Sequence, residues 1–115
     1  MRRVFFPIAC LVAFAASANA SLHADDVAYY CTYGGVNIRT IYYSAVFTAP
    51  ADQEARISNA WANWLTAHYD LANGDASGCR YDYTKSVRER RADQDADAAE
   101  AKSKNYKVVF TDWSY

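Results

Sequence analysis

Apolar and polar side chains alternate along the chain after residue 26, which is the pattern of β-strands. Residues 27–33 are β-branched and aromatic and predict a first strand, and residues 38–48 alternate over a second, longer strand. Gly34 and Gly35 between them predict the turn of a hairpin. The more apolar set of the second strand predicts its core-facing side: Arg39, Ile41, Tyr43, Ala45 and Phe47.

After Pro50 the spacing of apolar residues becomes that of a helix. Pro50 predicts where this helix begins, because proline is favoured at the first helical position. The helix is predicted to run to about residue 69 or 71, and residues 73–78 predict the loop that follows. Residues 78–83 predict a short strand. One apolar stripe with helical spacing defines the buried face of the helix: Ile57, Trp61, Trp64, Leu65 and His68.

A second helix is predicted to begin at a capping box formed by Ser86 and Glu89 and to end near Ser103. It is rich in alanine, which has the best helix propensity. Residues 106–113 predict the last strand. A basic run followed closely by acids predicts a mixed, exposed face of this helix: Lys85, Arg88, Arg90 and Arg91.

The predicted order of elements is β-β-α-β-α-β, in one small α+β domain. A mainly antiparallel sheet with both helices on one face is the natural arrangement for a single core of this size.

The first 20 residues have the composition of a secretory signal peptide. Arg2 and Arg3 precede an apolar run at 4–16, and small residues at 16–20 predict cleavage near Ala20. Residues 21–115 are then a single exported domain, and we expect it in the periplasm. Of 12 Lys and Arg, removal of two leaves 10 against 13 Asp and Glu, a net charge of −3. This charge disfavours nucleic acid as a partner, and no later apolar run is long enough for stable membrane insertion.

Removal of the predicted signal peptide also lowers the number of cysteines, from three to two. Cys10 lies inside the apolar run of the signal, which leaves Cys31 and Cys79. An even count in a small exported domain predicts one disulfide between them. A redox-active pair would need a C-x-x-C setting, which these two residues lack.

Chemistry beyond the disulfide is sparse in the sequence. His68 is predicted to be half-buried on the tryptophan face of the first helix, with no neighbouring nucleophile indicated by the spacing. Asp93, Asp95 and Asp97 imitate the start of a calcium loop, but Ala98 stands where that loop requires glycine. We therefore expect no catalytic set, no metal site and no cofactor.

Aromatic residues are the unusual part of the composition. Of 18 Phe, Trp and Tyr, three lie in the first 20 residues, so 15 belong to the expected mature domain. We expect part of this content to fill the core of a small domain, but tyrosine is also enriched at binding hot spots. The hairpin and the outer strand face predict a partner-binding surface, although ordinary packing is an alternative for each of its residues: Tyr33, Arg39, Tyr42 and Trp113.

Several runs together resemble a known family. They are the Tyr29-Tyr30-Cys31 strand, the segment 42–47, His68-Tyr69 at a helix end, Cys79, a charged helix and the segment 108–113. In this combination the chain resembles the periplasmic immunity proteins that accompany toxins of bacteria-killing type IV secretion systems. The resemblance implies a binding protein rather than an enzyme, whose partner is a cognate secreted antibacterial toxin.

Two other functions remain open from the sequence. One is a structural or accessory subunit of the bacterial cell envelope, and the other is a small envelope hydrolase. An exposed sheet edge would also permit a homodimer.

Overall fold

A computed structural model describes residues 26–71 and 76–115 of the chain. The predicted signal peptide, the segment that follows it up to residue 25, and residues 72–75, which include the first part of the predicted loop, lie outside the described residues. In chain order the elements are β1 (Asp26–Gly35), β2 (Thr40–Tyr43), β3 (Phe47–Pro50), a 3₁₀ turn (Ala51–Gln53), α1 (Glu54–His68), β4 (Ala76–Asp82), α2 (Val87–Ser103) and β5 (Lys107–Phe110).

The predicted fold class is confirmed. The protein is a small α+β domain with a five-stranded, mostly antiparallel sheet, two helices and one disulfide. β1 is the central strand, with β4 on one edge and both β2 and β3 on the other. β5 lies outside β2 and runs parallel to it. The order is β-β-β-α-β-α-β, because the second predicted strand is divided into β2 and β3.

The division between β2 and β3 is a β-bulge. Tyr29 of β1 lies opposite Phe47, and Thr32 lies opposite Tyr43. Two residues of β1 therefore face three residues, 44–46, on the neighbouring chain segment. One extra residue on one strand of an antiparallel pair defines a bulge.

The bulge changes which side chains share a face. Tyr29 and Thr32 are three residues apart on β1 and therefore point to opposite faces of the sheet. Phe47 is paired with Tyr29 and Tyr43 with Thr32, so these two partners also point to opposite faces. The prediction of a single core face was wrong for this reason, since it assumed unbroken alternation through Arg39, Ile41, Tyr43, Ala45 and Phe47.

The two helices consequently pack on opposite faces of the sheet. On one face, α1 packs in the main core against Tyr29. On the other, the Tyr43 hydroxyl donates a hydrogen bond of 2.7 Å to Asp97 of α2, and Arg90 of α2 lies 4.4 Å over the Tyr30 ring. The structure therefore corrects the predicted placement of both helices on one face. The completely buried α1 side chains of the main core are Ile57, Trp61 and Leu65.

The glycine pair does not form the hairpin turn. Gly34 and Gly35 both lie in β1 and pair with residues of β2, and residues 36–39 form the turn. Arg39 takes the left-handed conformation there, with φ of 50°. Gly34 is required by close approach instead, because a Cβ atom there would collide with the carbonyl oxygen of Thr40.

The predicted start and end of the second helix are confirmed. Ser86 Oγ accepts from the Glu89 amide at 3.1 Å, and the Ser86 amide donates to Glu89 Oε1 at 2.9 Å. The helix ends at Ser103, and Asn105 then adopts a left-handed φ of 68°.

The predicted disulfide is present at the centre of the sheet. Cys31 and Cys79 lie directly opposite each other on β1 and β4, and their exposed fractions are 0% and 1%. The Cys31 amide donates to Ser44 Oγ at 2.8 Å, and the Cys79 amide donates to Ser58 Oγ at 3.1 Å. The disulfide is therefore held between the bulge and α1.

Candidate binding surface

Tyr33 and Tyr42 lie together on the sheet face covered by α1. Their ring centroids are 6.4 Å apart, and Tyr42 lies 4.8 Å from the ring of Tyr69 at the end of α1. The Tyr33 hydroxyl donates to the carbonyl oxygen of Leu71 at 2.8 Å. Both tyrosines are partly buried and pack against the main core.

Trp113 reaches the same core from the C-terminal segment. Its ring lies 5.3 Å from that of Trp61 and 5.8 Å from that of Phe47. Its carbonyl oxygen accepts a hydrogen bond of 2.8 Å from Ala45 in the bulge. The segment after β5 is thereby tied to both the bulge and α1.

Arg39 lies away from the other three predicted site residues. Its Nη2 donates to the carbonyl oxygen of Lys104 at 2.7 Å, and its guanidinium lies 4.7 Å over the Tyr106 ring. A cation at this position complements the partial negative charge at the C-terminal end of α2. All four residues therefore make contacts within the chain, and their role toward a partner stays a prediction.

His68 is exposed rather than half-buried as predicted. Its ring stacks on Trp64 at 4.3 Å, and its Nδ1 lies 2.8 Å from the Trp64 carbonyl oxygen. Because a carbonyl only accepts, Nδ1 carries the proton in this contact. Within 26–71 and 76–115, no three His, Cys, Asp or Glu side chains are grouped so as to hold a metal ion.

α2 is held on the sheet by polar side chains. Gln94 Nε2 donates to the Ser44 carbonyl oxygen at 2.8 Å, and Arg90 Nη2 donates to the Arg80 carbonyl oxygen at 3.1 Å. The helix buries no large apolar side chain, in contrast to α1. Its buried residues are Arg90, Gln94, Ala98 and Ala101.

Four surface cavities of about 240, 360, 340 and 330 Å³ border this polar helix. They lie on both sides of α2, where residues of the helix and of the neighbouring strands line them together. We call the largest, between α2 and β4, the β4 cavity. Its lining includes Tyr30, Thr32, Gly78, Arg80, Arg90 and Asp97.

The sequence did not identify Arg90 as part of such a surface. Its basic run predicted an exposed face, but Arg90 is only 8% exposed. One pattern could have indicated it, since Arg90, Gln94, Ala98 and Ala101 recur at i, i+4, i+8 and i+11. That spacing marks one helix face, although its polar residues do not resemble an ordinary core stripe.

Two buried tyrosines have perturbed acidities. Burial, followed by the nearby Glu54 carboxylate, raises the pKa of Tyr29 from 10.0 to about 12. Burial and the hydrogen bond to Asp97 raise the pKa of Tyr43 well above its usual range. In both cases folding favours the neutral phenol.

We expect the protein to lose stability as pH rises above 10. A phenol whose pKa is raised by folding contributes its full stabilisation below the unfolded pKa of about 10 and loses it as pH rises toward the folded value. Urea unfolding at pH 8, 10 and 12 should give midpoints that fall mainly between the last two. In Tyr29→Phe, whose ring has no ionisable group, the urea midpoint should decrease less between pH 10 and pH 12. An equal midpoint at pH 10 and pH 12 in the unmodified protein would contradict the raised pKa of these tyrosines.

No match to this chain was found among protein-family models, curated proteins or solved structures. Among the described residues, no helix is long and apolar enough to cross a membrane.

Proposed function

We propose that this chain is an immunity protein, which binds and neutralises a cognate antibacterial toxin in the periplasm. The toxin belongs to the kind delivered by bacteria-killing type IV secretion systems. The observation that carries the proposal is the surface around α2, where polar side chains and recessed cavities border a helix on an otherwise firmly packed domain.

A rigid scaffold supports this function. The disulfide and the buried aromatic core hold β1, β4 and α1 together. A surface that is already ordered loses little conformational entropy on binding, so more of the contact energy appears as affinity.

The chemistry around α2 also fits a protein partner. The cavities expose side chains of both charges beside aromatic and small residues, as at the mixed, polar rim of many protein interfaces. Such recesses accept protruding side chains of a partner and help to fix its orientation.

Export is part of the proposal. A disulfide between two buried cysteines is compatible with an oxidising compartment, where such bonds persist. The N-terminal sequence predicts the route, since residues 1–20 read as a signal peptide.

Binding to the product of the adjacent gene tests the proposal. We expect the purified proteins to form a one-to-one complex in titration calorimetry, with Arg91→Glu weakening it at least about tenfold. Arg91 is exposed and lines the cavity beside Val46 and Phe110. The matched control is Arg56→Glu on α1, which should stay within about twofold because it makes the same charge change away from α2.

The outcome that contradicts the proposal is also specific. If the adjacent gene product does not bind and the chain gives no protection from it in the periplasm, the immunity function is wrong. If Arg91→Glu and Arg56→Glu lose the same amount of affinity for the adjacent gene product, the chain binds that product but α2 is not the binding site.

An accessory envelope subunit is a second candidate, and the β5 edge favours it. β5 is the outermost strand beside β2, and Phe110 on it is 51% exposed. The backbone groups of Val108 and Phe110 point away from β2, so they are available to another strand. Co-purification with a large envelope assembly, or with a second copy of this chain, would favour this candidate over a one-to-one toxin complex.

A further inference from the structure

We infer that the β4 cavity binds a carboxylate group, presented by an acidic side chain of the protein partner. The cavity has a volume of about 360 Å³, enough for one side chain to enter. That the carboxylate belongs to a protein partner rests on the proposed function. That the ligand is a carboxylate rests on the residues that line the cavity.

Gly78 keeps the floor of this cavity open. A Cβ atom built at Gly78 would meet nothing within 4 Å, and no glycine among the described residues has a positive φ. Neither close packing nor backbone conformation therefore requires glycine at this position inside β4. Glycine within a strand weakens it, and commonly marks a place where a ligand or another chain approaches closely.

Two arginines of the lining have donors that are not used. Arg90 donates from Nη1 to Asp93 and from Nη2 to the Arg80 carbonyl, but its buried Nε has no acceptor among the described residues. An unsatisfied buried donor is costly, so an added acceptor beside it stabilises the complex. The Arg80 residue is exposed at the rim, and no described residue accepts a hydrogen bond from its guanidinium.

Each carboxylate of the lining, in contrast, accepts a hydrogen bond on one of its oxygens. Asp82 Oδ1 accepts from the amide and the hydroxyl of Thr84 at 2.9 and 2.7 Å. Asp97 Oδ2 accepts from the Tyr43 hydroxyl at 2.7 Å. Each of these carboxylates has a donor on one oxygen, whereas the buried lining atom that lacks a partner among the described residues is a donor, Arg90 Nε, which requires an acceptor.

A carboxylate suits this requirement better than a phosphate. The planar fork of arginine matches the two oxygens of a carboxylate. A phosphate dianion would be repelled more strongly by Asp82 and Asp97, which line the same cavity. A singly charged carboxylate meets Arg80 and Arg90 with the smaller repulsion.

Gly78→Val provides the decisive variant because it separates binding from folding. The valine side chain enters open space and adds a β-branched residue to a strand, so the thermal unfolding midpoint should stay the same or rise. Affinity for the adjacent gene product should fall at least about tenfold, since the added side chain fills the site. The matched control is Ser77→Val, which makes a β-branched substitution one residue away on the opposite sheet face and should stay within about twofold.

The free carboxylate is tested separately, with sodium acetate as the probe against sodium chloride at equal ionic strength. In ¹H–¹⁵N spectra, the Arg90 Nε–H resonance should shift and saturate with acetate in the unmodified protein, and should not shift in Gly78→Val. This arm does not depend on the toxin. If the adjacent gene product fails to bind but acetate gives this pattern, the proposed function fails while the carboxylate site stands as one for a small molecule.

Two results would overturn the inference. One is an affinity of Gly78→Val for the adjacent gene product equal to that of the unmodified protein. The other is an Arg90 Nε–H resonance that moves with neither acetate nor the bound partner.

Discussion

Replacing Cys31 and Cys79 together by alanine is expected to lower the free energy of unfolding by about 4 kcal/mol, because the disulfide closes a long loop in the unfolded chain. The two residues are 48 positions apart, and both are buried at the centre of the sheet. Since domains of this size are commonly stable by about 5–15 kcal/mol, the variant should be only marginally folded. Urea unfolding followed by far-UV circular dichroism measures the change.

Reduction provides the matched control for this variant. The unmodified protein with its disulfide reduced should unfold close to the midpoint of the double alanine variant, because both lack the same restraint on the unfolded chain. A loss below about 1 kcal/mol in both cases would mean that packing across β1 and β4, not the disulfide, holds the sheet together.

Trp61→Ala is expected to cost about 3–5 kcal/mol, because it empties the largest buried position of the core. Trp61 is 0% exposed, and its ring contacts that of Trp113 at 5.3 Å. Its Nε1 also donates to the carbonyl oxygen of Thr32 at 3.0 Å. The substitution therefore removes a cavity-filling side chain and leaves a carbonyl of the central strand without its donor.

Two comparisons separate these contributions. Trp61→Phe keeps most of the ring volume but loses the hydrogen bond, so its cost should be well below that of alanine. Trp64→Ala removes a half-buried tryptophan that stacks on Trp61 at 6.0 Å and on exposed His68. Equal losses from Trp61→Ala and Trp64→Ala in thermal unfolding would contradict the assignment of the core to Trp61.

Local patterns were sufficient to predict much of this fold. The stripe containing Ile57, Trp61 and Leu65 predicted α1 and its buried face, because three residues recur at helical spacing. Ser86 and Glu89 predicted the start of α2, since a capping box involves only residues three apart. These features depend on neighbours along the chain, which a sequence displays directly.

The bulge between Tyr43 and Phe47 could not be predicted in the same way. Alternation continues through residues 38–48, and nothing local to that run indicates the extra residue. The bulge depends on pairing with β1 and on hydrogen bonds between Ser44 and Cys31, 13 residues apart. Because of this one extra residue, the side chains of the predicted core face before and after the bulge point to opposite faces of the sheet. α2 packs on the face that α1 does not cover.

The candidate site was the least predictable part. The sequence predicts Tyr33, Tyr42 and Trp113 as contact residues because aromatic residues favour interfaces, yet core packing uses the same residue types. The β4 cavity depends on Gly78, Arg80 and Arg90, which come from two elements and are adjacent only in the folded chain. Single residues of these common types carry no pattern that identifies a site in a sequence.

The proposed immunity function is tested most directly by survival. Cells that secrete the adjacent gene product into their own periplasm should lose viability, and co-production of this chain should restore it. A matched chain without residues 2–20 should fail to protect, because it lacks the predicted export signal. Equal killing with and without the full chain, when both proteins are present in the periplasm, would contradict the account.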